Sequence, residues 1–382
     1  MPSVRAASAS TRPQNLSRVL RLVHESGAIS RAMLTEATGL NRSTIADLVG
    51  ELTENGLVFE RMPEAAGRVG RPSPVVEPAS DVVVIAANPE VDALEIAAVG
   101  LDRSIRLRER IENEAVPSPE DTARAIGACV RRWKEDLLAH ARIVAVGLAV
   151  PGLVRSGDGL VRNAPHLGWR DVPIAQLVAN ATGLDAFVGN DASLGVLAEH
   201  TFGAAQGLGS VVYLNGGASG IGGGMILHGL PVLGTAGYAG EFGQSRIDAG
   251  DDGEPRTLES EVNRRRLLNA VGLRDAEEHE LAAALAESDD PAVAAEIERQ
   301  RGILAGALAN AINLLNPSVV VLGGFLATIQ SLDEDALDEA VADLVMPECA
   351  EDVFITPAAL GADRLLIGAA EAAFMPLLQD PS

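Results

Sequence analysis

The chain of 382 residues is 47% hydrophobic with a formal charge of -23. That is enough apolar material for two or three domains with real cores, and it excludes a wholly disordered chain. No apolar run approaches the roughly 20 residues of a spanning helix, and the opening MPSVRAASASTRPQ lacks a signal peptide's apolar segment, so a cytoplasmic protein is expected. The charge is unevenly placed: residues 1–78 hold nine Arg against eight acids, and the remainder holds 21 basic residues against 45 acids. An acidic body repels phosphate, which confines any nucleic-acid contact to the N-terminal part. The two cysteines, Cys129 and Cys349, show no CxxC or Cys/His spacing, so they read as ordinary buried thiols rather than metal ligands or a disulfide.

Leu16, Val19, Leu20 and Val23 repeat at i, i+3, i+4, i+7, one apolar helix face that should stop near Gly27. Ser30 is a good N-cap for a second helix ending at Gly39. A third runs from about Arg42 to Asn55 and buries Ile45, Leu48, Val49 and Leu52. The alternating stretch Leu57 to Arg61 then reads as a strand, GRVGRPSP as an exposed turn, and Val75-Val76 as a returning strand. Together these make a winged helix-turn-helix over residues 1–78. In that arrangement the third helix enters the major groove by its N-terminal end, presenting Arg42, Ser43 and Thr44 to bases and phosphates. Arg68 and Arg71 sit in the wing, where the extended Gly70-Arg71-Pro72 suits insertion of Arg71 into a narrow minor groove. The alternative is a protein-docking module, since small three-helix units bind proteins too and GRP is a common linker sequence.

From Asp81 onward strand-like runs (VVVIAAN, ALEIAAVGL, IVAVGLAVPG, SVVYL, MILHG, VVVLGG) alternate with helical stretches such as 120–140 and 296–315, which implies α/β layers. The helix over 120–140 should bury Ile126, Val130, Trp133 and Leu137. IVAVGLAVPG and VVVLGG each follow a long helix and end in glycine, an approximate internal duplication, and such strand ends are where open α/β sheets bind ligands. Asn190-Asp191 falls at a strand-to-helix junction, where a carboxylate accepts a hydroxyl proton or hydrogen bond, or where the pair is only a helix cap. NGGASGIGGG, residues 215–224, allows close backbone approach to a ligand and reads equally as a tight hairpin.

Ordered along the chain stand PG at 151–152, APHLGW at 164–169, NDA at 190–192, SGIGGG at 219–224, GEFG at 240–243, TLE at 257–259 and GALANAINLLNPSVVVLGG at 306–324. This series resembles the ROK family of repressors and sugar kinases of the NagC/XylR type, over nearly the whole chain. The resemblance implies a duplicated actin-like ATPase (RNase H-like, sugar-kinase) fold behind the winged helix-turn-helix, with lobes at 79–190 and 191–382 and a sugar in the cleft between them. It places Asn190 and Asp191 on the sugar, with Asp191 as the base in kinases, and makes Glu241 and Glu259 holders of sugar hydroxyls. His166 stands where family members often carry Asn; it either alters sugar choice or is a packed imidazole.

Two departures bear on activity. Family kinases open the fold with a DxGxT-like phosphate loop, whereas here the first strand ends in AANPE: Pro89 removes an amide, and Glu90 puts negative charge where phosphates would sit. The second phosphate loop keeps only part of its pattern, with Ala218-Ser219 at its opening. Phosphoryl transfer needs positioned phosphates and Mg²⁺ as well as a base, so binding without turnover is expected, and no ATP. The family's structural zinc uses one His and three Cys; here Gln244 takes the His position and no Cys precedes Leu258-Glu259, so no metal is expected. Gln244 remains a neutral hydrogen-bonding partner for ligand. The intervening acids Asp248, Asp251, Asp252 and Glu254 read as a solvated loop, or as Ca²⁺ donors that lack regular spacing.

Three readings follow: a sugar-responsive repressor, acting as a homodimer or homotetramer on operator DNA; an ATP-dependent sugar kinase with a fused DNA-binding domain; and a non-DNA interaction protein.

Overall fold

In the computed structural model, which describes residues 12–62, 73–217, 220–247 and 256–382, the helix Arg12–Ser26 buries Leu16, Val19, Leu20 and Val23 on one face. Burying each such side chain stabilises by about 2 kcal/mol. The Ser30 side chain accepts from the Met33 amide to cap Arg31–Thr38, and Gly39 closes that helix at φ 72°. Asn41 does the same for Arg42–Glu54 through the Thr44 amide, at 2.9 Å. Both caps satisfy amide groups that a helix start leaves unpaired. Strands Ile29–Ser30, Val75–Pro78 and Val58–Arg61 form a small antiparallel sheet in that order. Arg68 and Arg71 lie outside the described residues, as do Ala218-Ser219 and the acids Asp248, Asp251, Asp252 and Glu254.

Among the described residues the body holds two five-stranded sheets of matching topology. In the first, Val82–Pro89, Ala93–Gly100 and Ile105–Glu112 form an antiparallel meander, and Arg142–Val150 and then Ala186–Asn190 add in parallel on the other side of Val82–Pro89. In the second, Val211–Gly217, Gly220–Leu227 and Leu230–Pro231 meander, and Val319–Gly324 and Phe354–Pro357 add in parallel. The duplication suggested by two glycine-ended strands is therefore a repeat of whole sheets. No helix among the described residues is long and apolar enough to cross a membrane.

Three features depart from the sequence reading. The helix expected over 120–140 is Pro119–Glu135; the chain turns at Asp136, leaving Leu137 62% exposed while Leu138 is buried. The strand Ile105–Glu112 was not anticipated, because five of the eight residues of IRLRERIE are charged. Its alternating half-buried and exposed pattern fits a sheet edge, where charges discourage pairing with other chains. Finally, the lobe expected at 191–382 loses its last helix. Arg364–Gln379 lies on the first sheet, and its Leu366, Ala369, Ala370, Ala373 and Phe374 share one core with the N-terminal helices. The reason is local: an added Cβ on Gly147 would meet the Ala369 carbonyl oxygen at 1.8 Å, so the strand and this closing helix touch backbone to backbone.

Candidate functional site

Two strand ends and one hairpin build a cavity of about 530 Å³ between the sheets, within the usual range for small-molecule sites. Ala186–Asn190 pairs in parallel with Arg142–Val150, so Asn190 ends beside Val150 and the Pro151-Gly152 that follows. Gly152 sits at φ 110°, and a Cβ there would lie 2.3 Å from the Asn163 carbonyl oxygen, so only glycine makes this turn. Opposite, the hairpin between Val211–Gly217 and Gly220–Leu227 lines the cavity with Gly220 to Gly223. The same cavity is lined by His166, Asn190, Asp191, Glu241, Gln244 and Glu259, all six residues singled out in the sequence for sugar contact.

Their hydrogen bonds separate holders from open groups. Asn190 Nδ2 donates to Gly152 O at 2.9 Å and to Asp191 Oδ1 at 3.0 Å, while its Oδ1 accepts from the Ser193 amide at 2.9 Å. Asn190 thus caps the helix Asp191–Phe202 and aims its neighbour, and it retains one acceptor lone pair for anything in the cavity. Asp191 Oδ1 also accepts from the Ala192 amide at 2.8 Å. Burial pushes the Asp191 pKa up to about 6, against the pull of the Ala192 amide and the Arg364 charge. Protein surrounds this carboxyl except where the cavity opens to it.

Glu259 is held from two sides: Oε2 accepts from the Ile221 amide at 3.3 Å, and Oε1 from Gln244 Nε2. Glu241 begins the short turn Phe242–Gln244, and burial together with Asp191 and Glu259 raises its pKa. His166 is exposed at the rim, in the turn Pro165–Leu167, rather than packed. Asn163, two residues ahead of Pro165, also lines the cavity. Sequence reasoning began the motif at Ala164 and missed it, although an amide flanking a ligand turn was a usable signal.

The lining offers three carboxylates, amides and an imidazole, and no Lys or Arg among the described residues. Such a surface accepts hydroxyl hydrogens and repels phosphate. Glu90, just past the end of Val82–Pro89, adds to this: burial, and then the charge of Asp191, push its pKa up to about 7. A thiolate zinc does not fit the residues present, since Gln244 offers a neutral amide and the cysteines lie far off in Pro119–Glu135 and Pro347–Ala350. A larger cavity of about 610 Å³, lined by His279, Gly323, Gly324 and Arg364, contains none of these carboxylates.

In the N-terminal unit, Arg42 and Ser43 are exposed at the start of Arg42–Glu54 and Thr44 is half-buried. Ser43 Oγ donates to Asn41 Oδ1 at 2.7 Å. Neighbouring arginines are engaged with acids, Arg12 with Glu51, Arg31 with Glu60 and Arg61 with Glu77. Arg42 has no ion-pair partner among the described residues.

Residues 90–374, three-quarters of the chain, match the ROK family profile. The chain belongs to the ROK family. The xylose repressor of Bacillus spizizenii is 24% identical over 360 residues, covering 93% of this ROK chain and 93% of that protein. The glucokinase of Thermotoga maritima is 30% identical over 247 residues, covering 59% of this chain and 77% of the kinase. A solved ROK family transcriptional regulator, a homologue of the E. coli Mlc protein, superposes with a TM-score of 0.80 at 23% identity over 97% of both chains. The mixed α/β fold is thus that of ROK regulators and kinases, and the family match begins beyond the N-terminal helices.

Proposed function

We propose that this ROK protein is a sugar-responsive, DNA-binding transcriptional repressor of carbohydrate metabolism. The observation that carries this reading is coverage: a xylose repressor aligns over 93% of the chain, whereas the glucokinase spans 59%. The N-terminal helices and small sheet act as a winged helix-turn-helix. Arg42–Glu54 enters the major groove, with Arg42, Ser43 and Thr44 at bases and phosphates, and Arg68 and Arg71 add further DNA contacts. Two copies of the chain read two half-sites of an operator, in the cytoplasm. An unphosphorylated sugar binds among Asp191, Glu241, Glu259, Asn190, Gln244, Asn163 and His166, without zinc or nucleotide.

The test is a titration of a duplex from the DNA upstream of its own gene, between 50 and 200 mM salt. Arg42→Ala should weaken binding and reduce the slope of log K against log salt by about 1, one phosphate contact. An affinity and slope equal to wild type would remove this helix from the groove.

A kinase is the second reading, because Asp191 lines the cavity with a pKa of about 6, suited to a base near neutrality. Against it, Pro89 ends its strand without an amide to offer, and the next residue is a carboxylic acid, Glu90, whose pKa is raised by burial and by the charge of Asp191. In a coupled ADP-release assay with hexoses, pentoses and amino sugars, the expected rate is below about 1 s⁻¹, the low end for enzymes. Faster turnover with any of these sugars would establish the kinase.

A further inference from the structure

His24 is 1% exposed in a helix whose other buried side chains are aliphatic. Its Nδ1 lies 2.7 Å from Leu101 O and its Nε2 lies 3.0 Å from Glu371 Oε1. The rings of Phe202 and Phe374 pack at 5.5 and 5.7 Å. One imidazole therefore joins its own helix to the turn after Ala93–Gly100, to the closing helix Arg364–Gln379, and to the end of Asp191–Phe202. Burial lowers its pKa, but the Glu371 charge and the two hydrogen bonds outweigh that, leaving the ring above 6.5. Glu25 and Arg21 on its own helix, Arg103 in the turn and His200 on Asp191–Phe202 are the other charged or titratable groups around this contact.

The helix Asp191–Phe202 begins at the cavity and runs against the closing helix without slack: a Cβ on Gly368 would lie 2.2 Å from the Leu194 carbonyl oxygen. The closing helix is in turn bonded to the N-terminal unit beyond Glu371. Ser17 Oγ donates to Leu378 O at 2.6 Å. Just past the helix, Asn55 Nδ2 donates to Pro381 O at 3.0 Å, and Asn55 is the residue that ends Arg42–Glu54. Helices so packed shift as units, because close-packed interfaces have discrete arrangements rather than continuous give.

We propose that the closing helix is the coupling rod between the cavity and the DNA-facing helices, and that His24 and Glu371 form the latch through which it acts. This rests on the reading of the chain as a ligand-controlled DNA-binding protein. Spatial intermediacy alone is not coupling, so the test measures coupling directly. Glu371→Gln keeps the shape and a hydrogen bond while removing the charge.

In the full chain without ligand, amide hydrogen exchange over Leu16 to His24 should accelerate at least about tenfold, a local opening, while Val82–Pro89 stays protected. The second readout is operator affinity with and without whichever of xylose, glucose and N-acetylglucosamine raises the melting temperature. A ratio of about 100-fold in the wild type should fall below about 10-fold, with sugar affinity measured without DNA held within about threefold. Ser17→Ala, which removes only the Leu378 contact, should move both readouts the same way and serves if Glu371→Gln does not fold. Unchanged exchange overturns the latch. Accelerated exchange with an unchanged affinity ratio overturns the coupling. A wild-type chain that binds none of these sugars, or no operator, overturns the proposed function and the coupling together, and the exchange result then decides the latch by itself.

Discussion

Asp191→Asn is expected to make the protein more stable and a poorer binder of its ligand. The two effects have one cause. The folded-state pKa of about 6 lies above the ordinary 3.8, so the fold favours the protonated carboxyl. The stability contributed by that proton is fully present below 3.8 and is lost as pH rises through 6. At pH 7.5 the wild type therefore holds a buried charge, at a cost of at most about 3 kcal/mol and less to the extent that water fills the cavity. Asparagine removes the charge while its Oδ1 still accepts from the Ala192 amide, so the variant should melt higher at pH 7.5, with the gain vanishing near pH 4. The lost charged hydrogen bond should cost about 1.5 to 3 kcal/mol of ligand binding, roughly 10- to 150-fold in Kd. Wild-type affinity should likewise fall as pH drops through about 6. Paired melts and titration calorimetry at both pH values decide it; a variant that melts lower and binds as well as wild type would take Asp191 out of the site.

The sequence was informative wherever a local rule applied. The 3.6-residue period, Ser30 as a cap and Gly39 as a stop located the N-terminal helices, because each acts within one turn of chain. Six residues named from four separate segments of the sequence line one cavity, although their individual spacing carried little. What escaped was set by contacts distant in sequence. Nothing local marks Gly147 as the seat of a helix more than two hundred residues further on, so the last helix was assigned to the wrong lobe. Ile105–Glu112 escaped because its charges outnumber its apolar residues, and only the two-residue alternation betrayed it. Asn190 was read as a sugar contact, yet its amide hydrogens are committed to Gly152 and Asp191, a division of labour visible only once the strand end and the turn are adjacent.

That same glycine seat gives the largest expected loss of stability. Gly147 lies in the middle of Arg142–Val150, paired with Ala86 on one side and Phe187 on the other, so its strand cannot shift alone. A Cβ placed 1.8 Å from the Ala369 carbonyl oxygen would require the closing helix to withdraw by more than an ångström. The helix cannot slide aside either, because Gly368 is in backbone contact with Leu194 on its other flank. Withdrawal would loosen the packing of Leu366, Ala369, Ala370, Ala373 and Phe374, so Gly147→Ala should destabilise by about 3 kcal/mol. Gly302→Ala is the matching control: that glycine is exposed within Pro291–Leu315, has nothing within 4 Å of an added Cβ, and should gain about 1 kcal/mol from helix propensity alone. The same added methyl group thus has opposite expected signs at two sites, read by urea unfolding monitored by circular dichroism. If Gly147→Ala unfolds with the wild type, the closing helix is not seated as described, and its role as a rod between cavity and DNA-facing helices falls with it.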